Sequence, residues 1–378
     1  MRASRHAVYH CHFILSALPG ADPTTGNVGV PLAEQIHQSL FALIHDLVMC
    51  HSPSGEENEV DRFLLDHLRR LEVECWKDLA GNILARLPGR DSSRSRAITA
   101  HKDEIAAIVK RIGPAGRIEV GKLGGAFPWV YGEGVVDLLG DKRVISGVLS
   151  FGSRHVSHES PQKCHQEENA LKWENVWIET KLSEEELAAA GIRPGTRMVV
   201  GKHRKRPFRL GDYVSSYTLD NKASVAILLL LAASQQRPAF DVYLAFTAKE
   251  EVGAIGAMYF TRQCTVDELI ALEICPKSAE YPLQSDRQPV LVSQDGYGLY
   301  DEDLNRQLRG IAGRRGIELQ NVVLNGFGSD ASIVMKNGAV PRAACLGFPT
   351  DNTHGYEIAH LQAIAACLDL LQAYCESG

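Results

Sequence analysis

A change of sequence pattern in the middle of the chain sets its architecture. On both sides, apolar residues recur at three- and four-residue spacing or in short alternating runs, as in helices that alternate with strands. Between residues 111 and 213 the chain instead has short strand-like pieces separated by glycines, such as "GPAGRIEVGKLGG" and "GDKRVISGVLSFG". The pattern predicts an α/β domain, residues 36–110 and 214–378, into which a β-rich domain, residues 111–213, is inserted.

The α/β regions contain recognisable helices and strands. "LAEQIHQSLFALIHDLVMCHSPSGEENEVDRFLLDHLRRL" has two amphipathic helical stretches separated by a Ser-Pro-Ser-Gly break. "WKDLAGNILARLPG" and "SRAITAHKDEIAAIVKRI" then alternate like strands. After the insert, "NKASVAILLLLAASQQ" indicates an apolar helix, "FDVYLAFTA" a buried strand and "EIAHLQAIAACLDLLQAYC" an amphipathic closing helix.

The first 35 residues lack this regularity. Three histidines interrupt their weak apolar stretch, which is also short for the core of a signal peptide. We therefore predict that residues 1–35 are a disordered extension and not a secretory signal. A run of about 18 apolar residues, the length that a membrane-spanning helix needs, does not occur in the sequence.

Charge and cysteine content restrict the partners and the location. A formal net charge of −6 gives no electrostatic basis for binding nucleic acid or an anionic membrane surface. The nine cysteines include no Cys-x-x-Cys pair, which favours reduced thiols in the cytoplasm over a disulfide framework or a structural zinc site. We interpret the basic run 201–209 as a solvated loop, and likewise a segment with His155, His158, Cys164 and His165.

Polar residues collect where the predicted strands end and the helices begin. In an open α/β sheet, the ligand crevice lies beyond the carboxyl ends of the strands. Two imidazoles and several carboxylates there suit two cations such as zinc, manganese or cobalt, with one carboxylate bridging them. Each residue also has an ordinary explanation, as a helix cap or a surface group. The residues are His101, Asp103, Asp220, Asn221, Glu250, Glu251, Glu273 and His354.

Six short motifs occur together in a specific order: "PSGEE", "AHKDEI", "LDN", "FTAKEEVGAIGA", "GSDAS" and "THGYE". With the β-rich insert after the second motif, the set resembles the dimetal aminopeptidases of the M42 family, the glutamyl and deblocking aminopeptidase group. The resemblance spans about residues 40–375. It implies a zinc-peptidase-like, mixed-sheet α/β catalytic domain with a small, barrel-like β domain inserted for dimerisation. It also implies homo-oligomers, from dimers up to dodecamers.

The resemblance assigns a role to individual residues. Two divalent metal ions per subunit, zinc or else cobalt or manganese, would be held by His101, Asp220, Glu251, Glu273 and His354. Asp220 would bridge the two ions. Asp103 would hydrogen-bond to His101 and fix its tautomer, and Glu250 would be the general base. The implied reaction is hydrolysis of the N-terminal peptide bond of a peptide by water activated between the two metals.

Several residues depart from the family pattern and leave the substrate open. The chain has Asn221 and Glu273 where aspartate is common, and Lys102 and Ala106 where methionine and glycine are usual. A dimetal deacylase or a dipeptidase that acts on a small modified peptide stays an alternative, as does a metal-independent glycosidase that uses Glu250 and a second carboxylate.

Asp330, in the motif "FGSDAS", has two interpretations. It could orient the substrate amine or the His354 loop, or it could serve the turn and helix cap at Gly328 and Ser329.

Overall fold

A computed structural model describes residues 31–160, 163, 170–234 and 237–378. Its helices are α1 (Leu32–Val48), α2 (Asn58–Arg70), α3 (Pro128–Tyr131), α4 (Glu184–Ala190), α5 (Lys202–Lys205), α6 (Leu219–Ala233), α7 (Ile255–Gln263), α8 (Glu302–Arg315), α9 (Asp330–Lys336) and α10 (Leu361–Glu376). Its strands are β1 (Glu74–Lys77), β2 (Ile83–Leu87), β3 (Asp91–His101), β4 (Ala106–Ile112), β5 (Ile118–Leu123), β6 (Gly134–Leu139), β7 (Val144–Ser150), β8 (Trp177–Glu179), β9 (Arg197–Val200), β10 (Phe208–Leu210), β11 (Tyr213–Tyr217), β12 (Phe240–Thr247), β13 (Glu268–Pro276), β14 (Val290–Gln294), β15 (Gln320–Val323), β16 (Ala343–Asp351) and β17 (Tyr356–His360).

A large mixed sheet forms the centre of the fold. Within the described residues it has eleven strands, in the order β1-β2-β12-β3-β13-β16-β17-β11-β10, with β14 and β15 attached beside β16. The four central strands, β12, β3, β13 and β16, run parallel, whereas the pairs towards both edges are antiparallel. The sheet therefore has one edge where the carboxyl ends of several neighbouring strands meet.

Helices cover both faces of this sheet. Along β13, Ile270 and Leu272 belong to the core shared with α1, α2, α6, α8 and α10, while Leu269 and Ala271 belong to the core shared with α7 and α9. Alternate residues of a strand point to opposite faces, so the two cores lie on opposite sides. The predicted apolar helix is α6, which is buried along its whole length and therefore needs no polar face.

A closed barrel is inserted between β3 and β10. Its strands follow the order β4-β5-β8-β7-β6-β9 and enclose a separate apolar core. The mixed α/β architecture with a barrel-like insert, predicted from the sequence, is confirmed. The barrel strands run from Ala106 to Val200, and β10 at Phe208 already belongs to the large sheet. The predicted domain 111–213 therefore begins within β4 and extends past β9 into β10 and the start of β11.

A buried ion pair joins β3 to β13, and the closing helix α10 is hydrogen-bonded to it. Arg96 Nε of β3 donates to Glu268 Oε2 of β13 at 3.1 Å, and Tyr374 Oη of α10 donates to the same oxygen at 2.6 Å. Removing one partner of such a buried pair usually costs about 3–5 kcal/mol, because the remaining charge is left unpaired. The contact fixes α10 against the two central strands that carry site residues at their other ends.

The N-terminal helix begins earlier than the sequence analysis predicts. The main-chain oxygen of Pro31 accepts hydrogen bonds from the backbone N–H groups of Glu34 and Gln35, and Glu34 adds a negative charge to the first turn. Residues 32–35 therefore belong to α1 and not to an extension. Residues 1–30 of the predicted extension lie outside the described residues, as do Cys164 and His165.

Two further observations concern location. None of the helices in the described residues has the length and apolar character needed to cross a membrane. The cysteines in this part of the chain are free thiols. A cytoplasmic location stays a prediction from the sequence.

Candidate metal centre

Three parallel strands bring the first site residues together. β3 ends at His101, whose register partner on β12 is Thr247. Glu250 and Glu251 follow directly after β12, and Glu273 lies on β13, on the other side of β3. Because these strands are parallel, residues far apart in sequence meet at one edge of the sheet.

Two other segments supply the remaining residues. Asp220 lies at the start of α6, directly after β11, and His354 lies in the turn between β16 and β17 with a positive φ of 63°. The carboxylate of Glu357 joins the two segments, since it accepts the backbone N–H of Asp220 at 3.0 Å and that of His354 at 2.9 Å. The sequence analysis missed Glu357, although it ends the "THGYE" motif.

The five predicted ligands form two overlapping groups. His101, Asp220 and Glu273 form one, and Asp220, Glu251 and His354 form the other; within each group the candidate donor atoms lie within 4.8 Å of one another. Asp220 Oδ1 lies 3.0 Å from His101 Nε2, and Asp220 Oδ2 lies 3.4 Å from His354 Nε2. One carboxylate thus faces both groups through different oxygens.

The chemistry of this donor set fits two divalent cations. Burial raises the pKa of Glu251 to about 7 and that of Glu273 well above its usual range, and the nearby Asp220 carboxylate adds to both shifts. So many buried carboxyl groups cannot all be ionised unless cations compensate their charge. Imidazole and carboxylate donors without a thiolate suit zinc, cobalt or manganese.

Glu250 lies beside these groups but belongs to neither of them. Its Oε2 is 3.9 Å from His101 Nε2. Burial raises the pKa of Glu250 well above its usual range, and the Glu251 and Asp330 carboxylates raise it further. A carboxylate with an elevated pKa at the rim of a cation site has the properties of a proton acceptor.

Asp103 holds the loop that carries the two glutamates. Its carboxylate accepts the backbone N–H of Glu250 at 2.9 Å and of Glu251 at 3.3 Å, together with the Ser54 hydroxyl at 2.6 Å. His101 Nδ1 lies 3.2 Å from the main-chain oxygen of Asp103 and 3.6 Å from its carboxylate. Asp103 thus contacts the His101 ring mainly through its main-chain oxygen, while its carboxylate holds the loop and also lies close to the same ring nitrogen.

Two glycines that follow β5 of the barrel, Gly124 and Gly125, contact residues of the candidate centre. A Cβ atom on Gly125 would lie 2.5 Å from His354 Cε1, and one on Gly124 would lie 3.1 Å from the Cβ of Glu251. Gly124 also has a φ of +75°, which residues with a side chain rarely adopt. Glycine at both positions lets the barrel backbone pack directly against two of the candidate ligands.

Two of the residues that depart from the family pattern, Lys102 and Asn221, stabilise the structure around the donor atoms and are not donors themselves. Lys102 is completely buried and forms ion pairs with Glu57 and, at 2.8 Å, with Asp61 of α2. Asn221 Nδ2 donates to the main-chain oxygen of Leu272 at 2.7 Å, a bond that an aspartate carboxylate could not make. Both residues therefore fix neighbouring elements around the centre.

The interpretation of residues 201–209 as a solvated loop is wrong. Lys205 is completely buried, and its Nζ donates to both oxygens of Glu104 at 2.8 and 2.7 Å. Lys202 pairs with Glu59 at 2.6 Å. This run crosses from the barrel to the large sheet, so partners from α2 and from the β3–β4 connection surround it. By contrast, His155 and His158 are exposed.

Asp330 lies behind the centre. Ser329, and not Asp330, caps α9 by accepting the backbone N–H of Ser332. Asp330 Oδ2 accepts a hydrogen bond from Thr247 Oγ1 at 2.6 Å, and Oδ1 is buried without a partner among the described residues. Burial raises the pKa of Asp330 to about 6. Its contact with Thr247 anchors the end of β12, directly before the two glutamates.

The chain is similar to aminopeptidases over most of its length. It is 28% identical to YhfE of Bacillus subtilis, a protein provisionally named an aminopeptidase, with 89% of this chain and 96% of that protein covered. An aminopeptidase structure from the archaeon Desulfurococcus kamchatkensis has a TM-score of 0.81 at 24% identity, with coverage of 90% of this chain and 96% of that one.

A second solved structure is that of the TET1 peptidase of Pyrococcus horikoshii, which is described as assembling into a tetrahedron or a large octahedral shell. It has a TM-score of 0.79 at 23% identity, with 91% of this chain and 100% of that chain covered. At such identities the two solved structures support the fold. The sequence model of the M42 glutamyl aminopeptidases matches residues 81–370, well over half of the chain, and the protein therefore belongs to this family of aminopeptidases.

Proposed function

We propose that the protein hydrolyses the N-terminal peptide bond of peptides with two divalent cations per subunit. The observation that carries the proposal is the position of Asp220, whose two oxygens face two separate groups of donors. The first cation would be held by His101, Asp220 and Glu273, and the second by Asp220, Glu251 and His354.

The bound cations would lower the pKa of a water molecule between them and polarise the carbonyl group of the scissile bond. We assign Glu250 as the base that takes the proton from this water and returns it to the amine that leaves. Asp103 positions Glu250 and Glu251 through their backbone N–H groups. Glu357 positions Asp220 and His354 in the same way.

Removal of the metal tests this function. Chelation is expected to abolish hydrolysis of aminoacyl-p-nitroanilides, and zinc, cobalt or manganese should restore it, because the donor set is incomplete without cations. Elemental analysis before and after chelation provides the control. Full activity in protein that is confirmed to be free of metal would contradict the proposal.

The same assay separates the alternatives. Preferential, metal-dependent hydrolysis of N-acylated amino acids or short amidated peptides would favour the deacylase or dipeptidase. Metal-independent cleavage of a β-glucan would favour the glycosidase. Aminoacyl substrates cleaved from the free N-terminus would support the aminopeptidase.

We further propose that the barrel makes the contacts between subunits of a homo-oligomer. Phe127 and Trp129, at one end of the barrel, are 49% and 60% exposed and form an aromatic pair. Large aromatic side chains that stay exposed in a single chain are typical of subunit interfaces. The assembly of the Pyrococcus horikoshii TET1 peptidase is consistent with this role.

Excision of the barrel is expected to reduce the oligomer to monomers. Ala107 and Met198 are register partners on adjacent strands, so roughly two to four glycine or serine residues can replace residues 108–197. Light scattering gives the mass, and circular dichroism shows whether the remaining domain is folded. A folded variant that keeps the number of subunits of the full chain would show that the contacts lie elsewhere.

A further inference from the structure

A cleft extends from the candidate metal centre into the junction between the barrel and the large sheet. It opens to solvent. Asp220, Glu251 and His354 form one end of it. A peptide whose first peptide bond lies at the centre would place the side chain of its N-terminal residue in a cavity of this kind. The chemistry of the cleft wall therefore bears on which N-terminal residue is accepted.

The wall of the cleft is mainly apolar and aromatic. Ile105, Tyr131, Val200 and Tyr217 contribute to it. The two tyrosine hydroxyl groups are already hydrogen-bonded within the protein and do not donate to a ligand. Tyr131 Oη donates to the main-chain oxygen of Ile105 at 2.9 Å, and Tyr217 Oη donates to that of Tyr131 at 3.0 Å. Both rings thus present apolar surface to a ligand.

The acidic residues of the wall are also satisfied within the protein. Glu104 accepts two hydrogen bonds from Lys205, and Glu357 accepts the backbone N–H groups of Asp220 and His354. Thr218 Oγ1 is a buried atom of a wall residue and has no partner among the described residues. Because this hydroxyl group is buried, it does not offer a hydrogen bond to a ligand in the cleft.

Lysine and arginine side chains near the cleft are not available to a ligand. The lining residues in the described part of the chain include no lysine or arginine. Arg204 lies 5.5 Å from the centre of the Tyr217 ring, but its guanidinium donates to the main-chain oxygens of Tyr131 and Val135. Away from the metal-binding end, an acidic side chain in the cleft would lose its hydration and would lie near the Glu104 and Glu357 carboxylates, without a lysine or arginine in the described lining to pair with it.

We infer that the enzyme selects an uncharged, apolar N-terminal residue and discriminates against glutamate and aspartate. The inference rests on the proposed aminopeptidase function and specifies its substrate class. The family is described as glutamyl aminopeptidases, so the inferred preference of this chain differs from the one that the family description names.

Two measurements on the unmodified, metal-loaded protein test the inference. The kcat/KM for leucyl-p-nitroanilide is expected to exceed that for glutamyl-p-nitroanilide by at least about 10²-fold, since a buried charge without a partner is rejected strongly. In calorimetric titrations, L-leucine is expected to bind and L-glutamate to show no detectable binding. Equal values, or a preference for the glutamyl compound, would overturn the inference.

A charged variant tests whether the cleft itself is responsible. Ile105→Lys places an ammonium group in the wall and is expected to shift the leucyl-to-glutamyl ratio towards glutamyl by at least about tenfold. Val323→Lys, on a residue of β15 that is 48% exposed and lies outside the barrel, is the matched control and should leave the ratio unchanged. If Ile105→Lys is correctly folded and metal-loaded but keeps the original ratio, the cleft does not select the N-terminal residue.

Two outcomes need to be distinguished. If Ile105→Lys does not fold, Ile105→Ala replaces it, and the expected result is a rise of about tenfold in the KM for the leucyl substrate while the metal content is unchanged. If no aminoacyl substrate is cleaved although both metals are bound, the proposed function fails. The titrations with L-leucine and L-glutamate still decide the preference of the cleft in that case.

Discussion

Replacing Glu250 with glutamine is expected to lower kcat by about 10²- to 10⁴-fold, the usual contribution of a general base. Glutamine has nearly the same shape as glutamate, but its amide cannot accept a proton from water. Because Glu250 belongs to neither group of candidate ligands, both metals and the KM should be retained. The measurements are kcat, KM and metal content on the same preparation.

Glu251→Gln is the matched control, since it makes the same chemical change at the adjacent residue. Glu251 lies with Asp220 and His354 in the second group of donors. Loss of its anionic oxygen is expected to weaken metal binding at one site by at least about 10- to 100-fold, since changes to the groups that merely surround a ligand already have effects of that size. Excess metal should then restore part of the activity, because the base is still present.

The pair of variants separates three explanations. If Glu250→Gln keeps full turnover, Glu250 is not the base. If Glu250→Gln loses a metal and Glu251→Gln does not, the roles of the two residues are exchanged. If both variants have normal turnover and a stability within about 0.5 kcal/mol of the unmodified protein, the two glutamates are ordinary loop residues.

The position of the candidate centre could be predicted because it follows from strand direction. His101, Glu250 and Glu273 each lie at or near the carboxyl end of a strand, and parallel pairing alone brings such ends together. Asp220 and His354 lie on a helix start and in a turn, and their approach depends on Glu357. The bond to His354 is local, but no local pattern shows that the same glutamate also binds the backbone N–H of Asp220, 137 positions earlier, so the sequence analysis misses this residue.

The errors concern contacts that the sequence does not encode locally. A basic run normally indicates exposure, yet Lys205 is buried because Glu104, about a hundred positions earlier in the chain, lies opposite it. The sequence pattern of glycine-separated strands also does not show that β3 and β4, which are close in sequence, belong to different sheets.

The second large effect is expected for Asp220→Ala. Asp220 is the residue shared by the two groups of donors, and its two oxygens face His101 and His354 separately. Its removal should therefore weaken metal binding at both sites. Since bound cations would supply several kcal/mol of transition-state stabilisation, kcat/KM should fall on the order of 10³-fold or more.

Glu273→Ala provides the comparison, because Glu273 belongs to one group only. It should lose one metal per subunit where Asp220→Ala loses two, as measured by elemental analysis and by calorimetric titration of zinc into the metal-free proteins. Asp303→Ala, whose side chain is 74% exposed on α8, controls for the effect of removing a carboxylate and should bind both metals. If Asp220→Ala loses no more metal than Glu273→Ala, Asp220 does not join the two sites, and the assignment of a shared bridging carboxylate is wrong.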